Sequence, residues 1–154
     1  MIHTMRLVLI ACLVLSSSIL ALAQESREQV MEKRTREMHR VLGLTDRAAW
    51  KKFIKENYTQ ALIDKPMRAK VQTSDNGSDK SSETSSADNL EAKVGMFERL
   101  HNDFGDSKIT SLKVIGDDVE MIVLGDMGLK GTFRLKFDIA KPYLISGLGI
   151  SADN

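Results

Sequence analysis

The chain is poor in the residues that staple small proteins together. It has one cysteine, Cys12, and it stands in the N-terminal apolar run. Once that run is removed, disulfides, a thiol nucleophile and a thiolate metal site are all excluded. Histidine is almost as scarce: three in total, His3, His39 and His101. That excludes a His-rich metal site, and no metal ligand set or cofactor is expected. No match occurs to G-x-S-x-G, S-x-x-K, H-E-x-x-H, C-x-x-C, a P-loop or a dinucleotide fingerprint. Gly125, Gly128 and Gly131 are evenly spaced, but they lie between two strand-like runs with no helix after them. That setting suits a hairpin loop rather than a phosphate cradle.

Charge of one sign is lacking too. The formal net charge is +1. The balance gives no argument for nucleic acid or an anionic membrane as partner. The basic excess lies before Gln72 and the acidic excess between Thr73 and Asp106, as expected for solvated helix faces and a linker.

The one long apolar run is N-terminal. Arg6 precedes Leu7–Leu15, and Ala21-Leu22-Ala23 stands before Gln24. This is the pattern of a secretory signal peptide over residues 1–23, cleaved after Ala23. Leu9-Ile10-Ala11-Cys12 resembles a lipobox, but too few apolar residues precede Cys12, and apolar sequence continues to Leu22. No second run of membrane length follows, so a secreted or periplasmic protein without stable membrane insertion is expected.

Residues 24–154 read as one α+β domain. Glu25–Leu42 has a helical stripe of Met31, Thr35, Met38 and Leu42. Thr45 or Asp46 caps a second helix, in which Trp50, Phe53, Ile54, Asn57, Tyr58, Ala61 and Leu62 share one face. Ser74–Asp88 is serine-rich and acidic, has nothing to bury, and reads as a flexible insertion. It carries a sequon at Asn76; a second sequon, at Asn57, falls on the packed helix. Asp88 with Glu91 caps a third helix with a stripe of Leu90, Val94, Phe97, His101 and Phe104.

Four strands follow, over Ile109–Ile115, Val119–Leu124, Thr132–Phe137 and Tyr143–Ile150. Phe133, Leu135 and Phe137 alternate with Thr132, Arg134 and Lys136, so one face is packed and the other wet, as in antiparallel sheets. Gly147 and Gly149, with Tyr143 and Ile145 on the same side, predict a strongly curved sheet with a concave face. Trp50 is expected against the strand face of Phe133, Leu135 and Phe137.

Three segments, Trp50–Tyr58 (WKKFIKENY), Met96–Phe104 (MFERLHNDF) and Pro142–Ile150 (PYLISGLGI), carry a resemblance. The chain resembles the cone-shaped folds of the nuclear transport factor 2-like and cystatin-like superfamily. It is also similar to the accessory domain of secreted β-lactamase-related serine hydrolases. It departs from the latter in lacking a hydrolase domain and in its serine-rich insertion. The resemblance implies a free-standing module and hands over no catalytic residue.

The leading expectation is a non-catalytic binding or accessory module with an apolar pocket between helices and sheet. Trp50, Tyr58, His101 and Tyr143 are its expected lining, and a small apolar ligand or a partner protein its occupant. One alternative is an isomerase- or hydratase-like enzyme using His101, Tyr58, Tyr143 or Asp103. Another is an interaction domain that forms a homodimer through the outer sheet face.

Overall fold

The computed structural model describes residues 25–67, 86–125 and 128–153. The expectations for the signal peptide, Cys12, the Asn76 sequon and most of the serine-rich insertion fall outside these residues.

Helix α1 spans Arg27–Leu42. Ser26 starts it with a capping box: Ser26 Oγ accepts from the Gln29 N–H, and Gln29 Oε1 accepts from the Ser26 N–H. The stripe Met31, Thr35, Met38, Val41 and Leu42 is buried. Thr35 is tolerated inside because its hydroxyl donates to the Met31 carbonyl at 2.9 Å. Asp46 caps α2, Arg47–Asn57, accepting from the Ala48 N–H.

The second helical stripe is not one helix. It breaks at Tyr58 and resumes as α3, Gln60–Asp64. Tyr58 and Thr59 are extended, with ψ of 148° and 149°. Tyr58 forms a parallel bridge with Ile145, and the Thr59 N–H donates to the Ile145 carbonyl at 2.9 Å. Thr59 Oγ1 then caps α3 by accepting from the Leu62 N–H. The sheet edge thus takes two residues that helical periodicity assigns to a helix.

Helix α4 runs Ser86–Phe104. It begins inside the serine-rich stretch, so Asp88 is an acidic first-turn residue rather than the cap. Leu90, Val94, Phe97, Leu100 and Phe104 are buried.

The strands are β1 Lys108–Ile115, β2 Asp118–Leu124, β3 Lys130–Phe137 and β4 Ile145–Asp153. They form an antiparallel sheet in the order β1-β2-β3-β4. The fold is α+β, with the helices before the sheet. The core face carries Val119, Met121 and Val123 from β2 and Phe133, Leu135 and Phe137 from β3. Gly131 on β3 leaves room for a helix: a Cβ there would stand 2.6 Å from Cε1 of the buried Phe104 ring.

Bulges interrupt β1 at Ile109–Ser111 and β4 opposite Lys136–Phe137. The second reverses the face parity expected for β4. Ile145 pairs with Phe137, but beyond the bulge Leu148 pairs with Leu135 and Ile150 with Phe133. Partners across a ladder share a face. Ile145, Leu148 and Ile150 therefore lie on the core side, while Gly147 and Gly149 lie opposite Lys136 and Arg134 on the outer side. The glycines do not share a face with Ile145, because an extra residue stands between them.

Helix α1 packs on β1 and β2, and α3 on β4, whereas the main contacts of α2 are with α4 and α1. Trp50 follows its helix. The indole Nε1 donates to the Val41 carbonyl at 3.0 Å, and the ring centroid is 5.6 Å from that of His101 on α4. Trp50 is thus held in a seam between helices and not, as expected, against the strand face. Among the described residues no helix is long and apolar enough to cross a membrane, and no group of three or more His, Cys, Asp or Glu could hold a metal ion.

Candidate functional site

The expected pocket residues do not converge on one space. Trp50 and His101 meet in the helix seam, where the His101 Nδ1–H donates to the Leu42 carbonyl at 2.7 Å. A carbonyl only accepts, so this contact sets the imidazole tautomer. Gly105 lies just beyond: a Cβ there would stand 2.6 Å from His101 Nδ1. Tyr143 is elsewhere, at the β3–β4 turn, with a left-handed φ of 57°. The Arg27 guanidinium carbon lies 5.8 Å from the centre of the Tyr143 ring, and Arg27 pairs with Asp117 at 2.5 Å. Arg34 fastens the same turn, donating to the Pro142 carbonyl at 3.1 Å and to Asn57 Oδ1. Burial lowers its pKa, though a guanidinium stays charged.

His39 has a structural task as well. Ser107 donates its hydroxyl proton to the Phe104 carbonyl at 2.6 Å, so His39 Nε2–H donates to Ser107 Oγ at 3.1 Å. Burial lowers the His39 pKa and favours the neutral ring. Together His39 and His101 tie the C-terminal end of α1 to that of α4. Asp103 shares with His101 a hollow of about 160 Å³ that neither tyrosine lines.

Tyr58 stands apart from these. It lines a cleft of about 280 Å³ between α3, α4 and β4, with Leu62, Met67, Met96 and Leu148 as apolar wall. The Tyr58 ring packs edge-on to Phe53, with centroids 6.2 Å apart, and lies 6.4 Å from Phe97. The residue is 3% exposed, and its hydroxyl is buried with no hydrogen-bond partner among the described residues. Burial pushes its pKa up, so it stays protonated and is a donor at neutral pH.

The cleft also has a buried cation. Lys93 is 4% exposed, and its Nζ donates to the carbonyls of Ile63 at 2.9 Å and Lys65 at 2.7 Å. Asn89, one turn earlier, donates to the Asp64 carbonyl at 2.7 Å. The two side chains cap the C-terminal carbonyls of α3, where a positive charge is also favoured. Desolvation lowers the Lys93 pKa; Asp64 opposes this and Lys65 adds to it. Sequence reasoning missed both residues. Their signal is a polar pair at i and i+4 beside the apolar positions Leu90 and Val94.

A larger hollow of about 820 Å³ runs along α1. It is an open groove walled by charges that pair with one another: Lys33 with Glu25 at 3.3 Å, Arg36 with Glu32 at 2.7 Å and Arg40 with Glu37 at 2.7 Å. None of the expected site residues lines it.

No protein-family model, no curated protein and no solved structure matches this chain.

Proposed function

We propose that this protein is a non-catalytic binding module whose cleft between α3, α4 and β4 takes a small apolar ligand. The observation that carries this reading is the buried, unpartnered hydroxyl of Tyr58, a residue of the cleft wall beside Leu62, Met67, Met96 and Leu148. A buried polar group without a partner is destabilising, and native proteins retain few of them. A ligand atom that accepts from the hydroxyl would satisfy it. A volume of about 280 Å³ corresponds to roughly nine water-sized spaces, so the ligand is small.

Catalysis has less support. An acid–base site needs its groups within reach of one substrate. The Nδ1 proton of His101 is committed to Leu42, Asp103 has no tyrosine in its hollow, and Tyr143 belongs to a distant turn. Dimerisation through the outer sheet face also has little support, since that face carries Lys113, Lys136 and the ion pair Glu120–Arg134.

The module is a cone-like domain of the nuclear transport factor 2-like kind on this reading. The order of helices before an antiparallel sheet and the two bulges support the curvature. It is an exported protein beginning at Gln24, which the Ala21-Leu22-Ala23 pattern supports. Mass spectrometry of the exported chain is expected to give Gln24 as the first residue; a lipidated Cys12 would contradict this.

The binding reading is tested with hexanol and protein carrying ¹³C-labelled methionine methyls. Met67 and Met96 line the cleft, whereas Met31, Met38 and Met121 are sealed in the core. Saturable shifts confined to the Met67 and Met96 methyls are expected. Shifts that do not saturate, or that spread to the core methyls, would contradict a site in the cleft.

A further inference from the structure

The cleft sorts ligands by the polarity of their head group, and the polar atoms along it show which head group it fits. Tyr58, Lys65, Lys93 and Ser146 are its hydrogen-bonding side chains, and no Asp or Glu lines it among the described residues. Ser146 commits its hydroxyl proton to the Lys136 carbonyl at 3.3 Å. Tyr58 has a donor with no acceptor. Lys93 gives two of its three N–H bonds to the Ile63 and Lys65 carbonyls, so one N–H remains. Asp64 lies close enough to act on the Lys93 charge, but it is not part of the lining, and its Oδ1 accepts from Gln60 Nε2 at 2.9 Å. Among the described residues the cleft therefore offers hydrogen-bond donors and positive charge beside Leu62, Met67, Met96 and Leu148, and no negative charge.

We infer that the ligand is a small apolar carboxylate, its tail on the leucine and methionine wall and its head group accepting from the Tyr58 hydroxyl and the Lys93 ammonium. This rests on the cleft being a ligand site, as proposed above. A carboxylate is the head group that uses both donors, since it accepts several hydrogen bonds and brings a charge opposite to that of Lys93. An amine would meet only donors. An alcohol has one oxygen and no charge for the ammonium. Burial raises the Tyr58 pKa and so keeps the proton that the carboxylate needs.

The test is calorimetric titration of the protein at pH 7 with hexanoate, hexanol and hexylammonium, repeated on Tyr58→Phe. The three probes share a tail and differ in the head. Hexanoate is expected to bind tightest, hexanol more weakly, and hexylammonium not at all. Tyr58→Phe removes one donor and keeps the ring, so hexanoate affinity should fall roughly tenfold or more, the usual loss for a hydrogen bond to a charged acceptor. Hexanol or hexylammonium binding as tightly as hexanoate would overturn the carboxylate and leave the cleft as a binding site. So would unchanged hexanoate affinity in Tyr58→Phe. Binding by none of the three would overturn both readings.

Discussion

Trp50→Ala is expected to cost ~3–5 kcal/mol of stability, the usual range for truncating a buried aromatic. The indole is 3% exposed and fills the seam where α2 meets α1 and α4. Truncation opens a cavity there and also leaves the Val41 carbonyl without its indole donor. A domain of this size has only about 5–15 kcal/mol in hand, so the variant should lose a large share of its stability. Trp50→Phe separates the two contributions. It retains most of the apolar contact and removes the hydrogen bond, worth about 1 kcal/mol. The neighbouring Lys51 is the control. It pairs with Glu91 on the partly exposed side of the helix, and such solvent-exposed pairs add little to stability. Equilibrium urea unfolding of the three variants checks the order. Equal, small losses for Trp50→Ala and Lys51→Ala would place the indole outside the core.

The position of Trp50 illustrates what helical periodicity conveys. The stripe of Trp50, Phe53 and Ile54 identifies a buried face, and those residues are buried. It carries no information on what covers that face. The sheet was the obvious partner, yet two other helices enclose the indole, and only the order of packing in three dimensions decides that. The sheet itself was more legible. Phe133, Leu135 and Phe137 alternate without interruption, and each residue reports its own face. In β4 the same rule failed after Ile145. One extra residue reverses every later side chain, and the glycines that betray a bulge do not say where it lies.

The break between α2 and α3 was hidden for a different reason. Tyr58 leaves the helix to pair with Ile145, a residue far along the chain, and no local pattern encodes that contact. Thr59 was the available hint, since threonine is a poor helix interior and a good cap. The candidate site was legible to the same partial degree. Tyr58 was singled out from its stripe. Its neighbours in the cleft come from three elements brought together only by folding, and Lys93 is charged at a buried position, where periodicity expects none.

The proposed site depends on the Tyr58 hydroxyl, so the most direct measurement is urea unfolding of the ligand-free Tyr58→Phe variant. The substitution keeps the ring against Phe53 and Phe97 and removes one oxygen. In most cores that oxygen is hydrogen-bonded, and its loss is destabilising. Here the hydroxyl is buried without a partner. Desolvating a polar group and leaving it unpaired costs about 1–3 kcal/mol, so the variant is expected to be more stable than the parent by up to that amount. A gain would mean that the parent gives up stability to keep a donor in its cleft, a common cost of function. A loss of about 1 kcal/mol or more would mean that the hydroxyl already has a partner within the chain and is not held for a ligand.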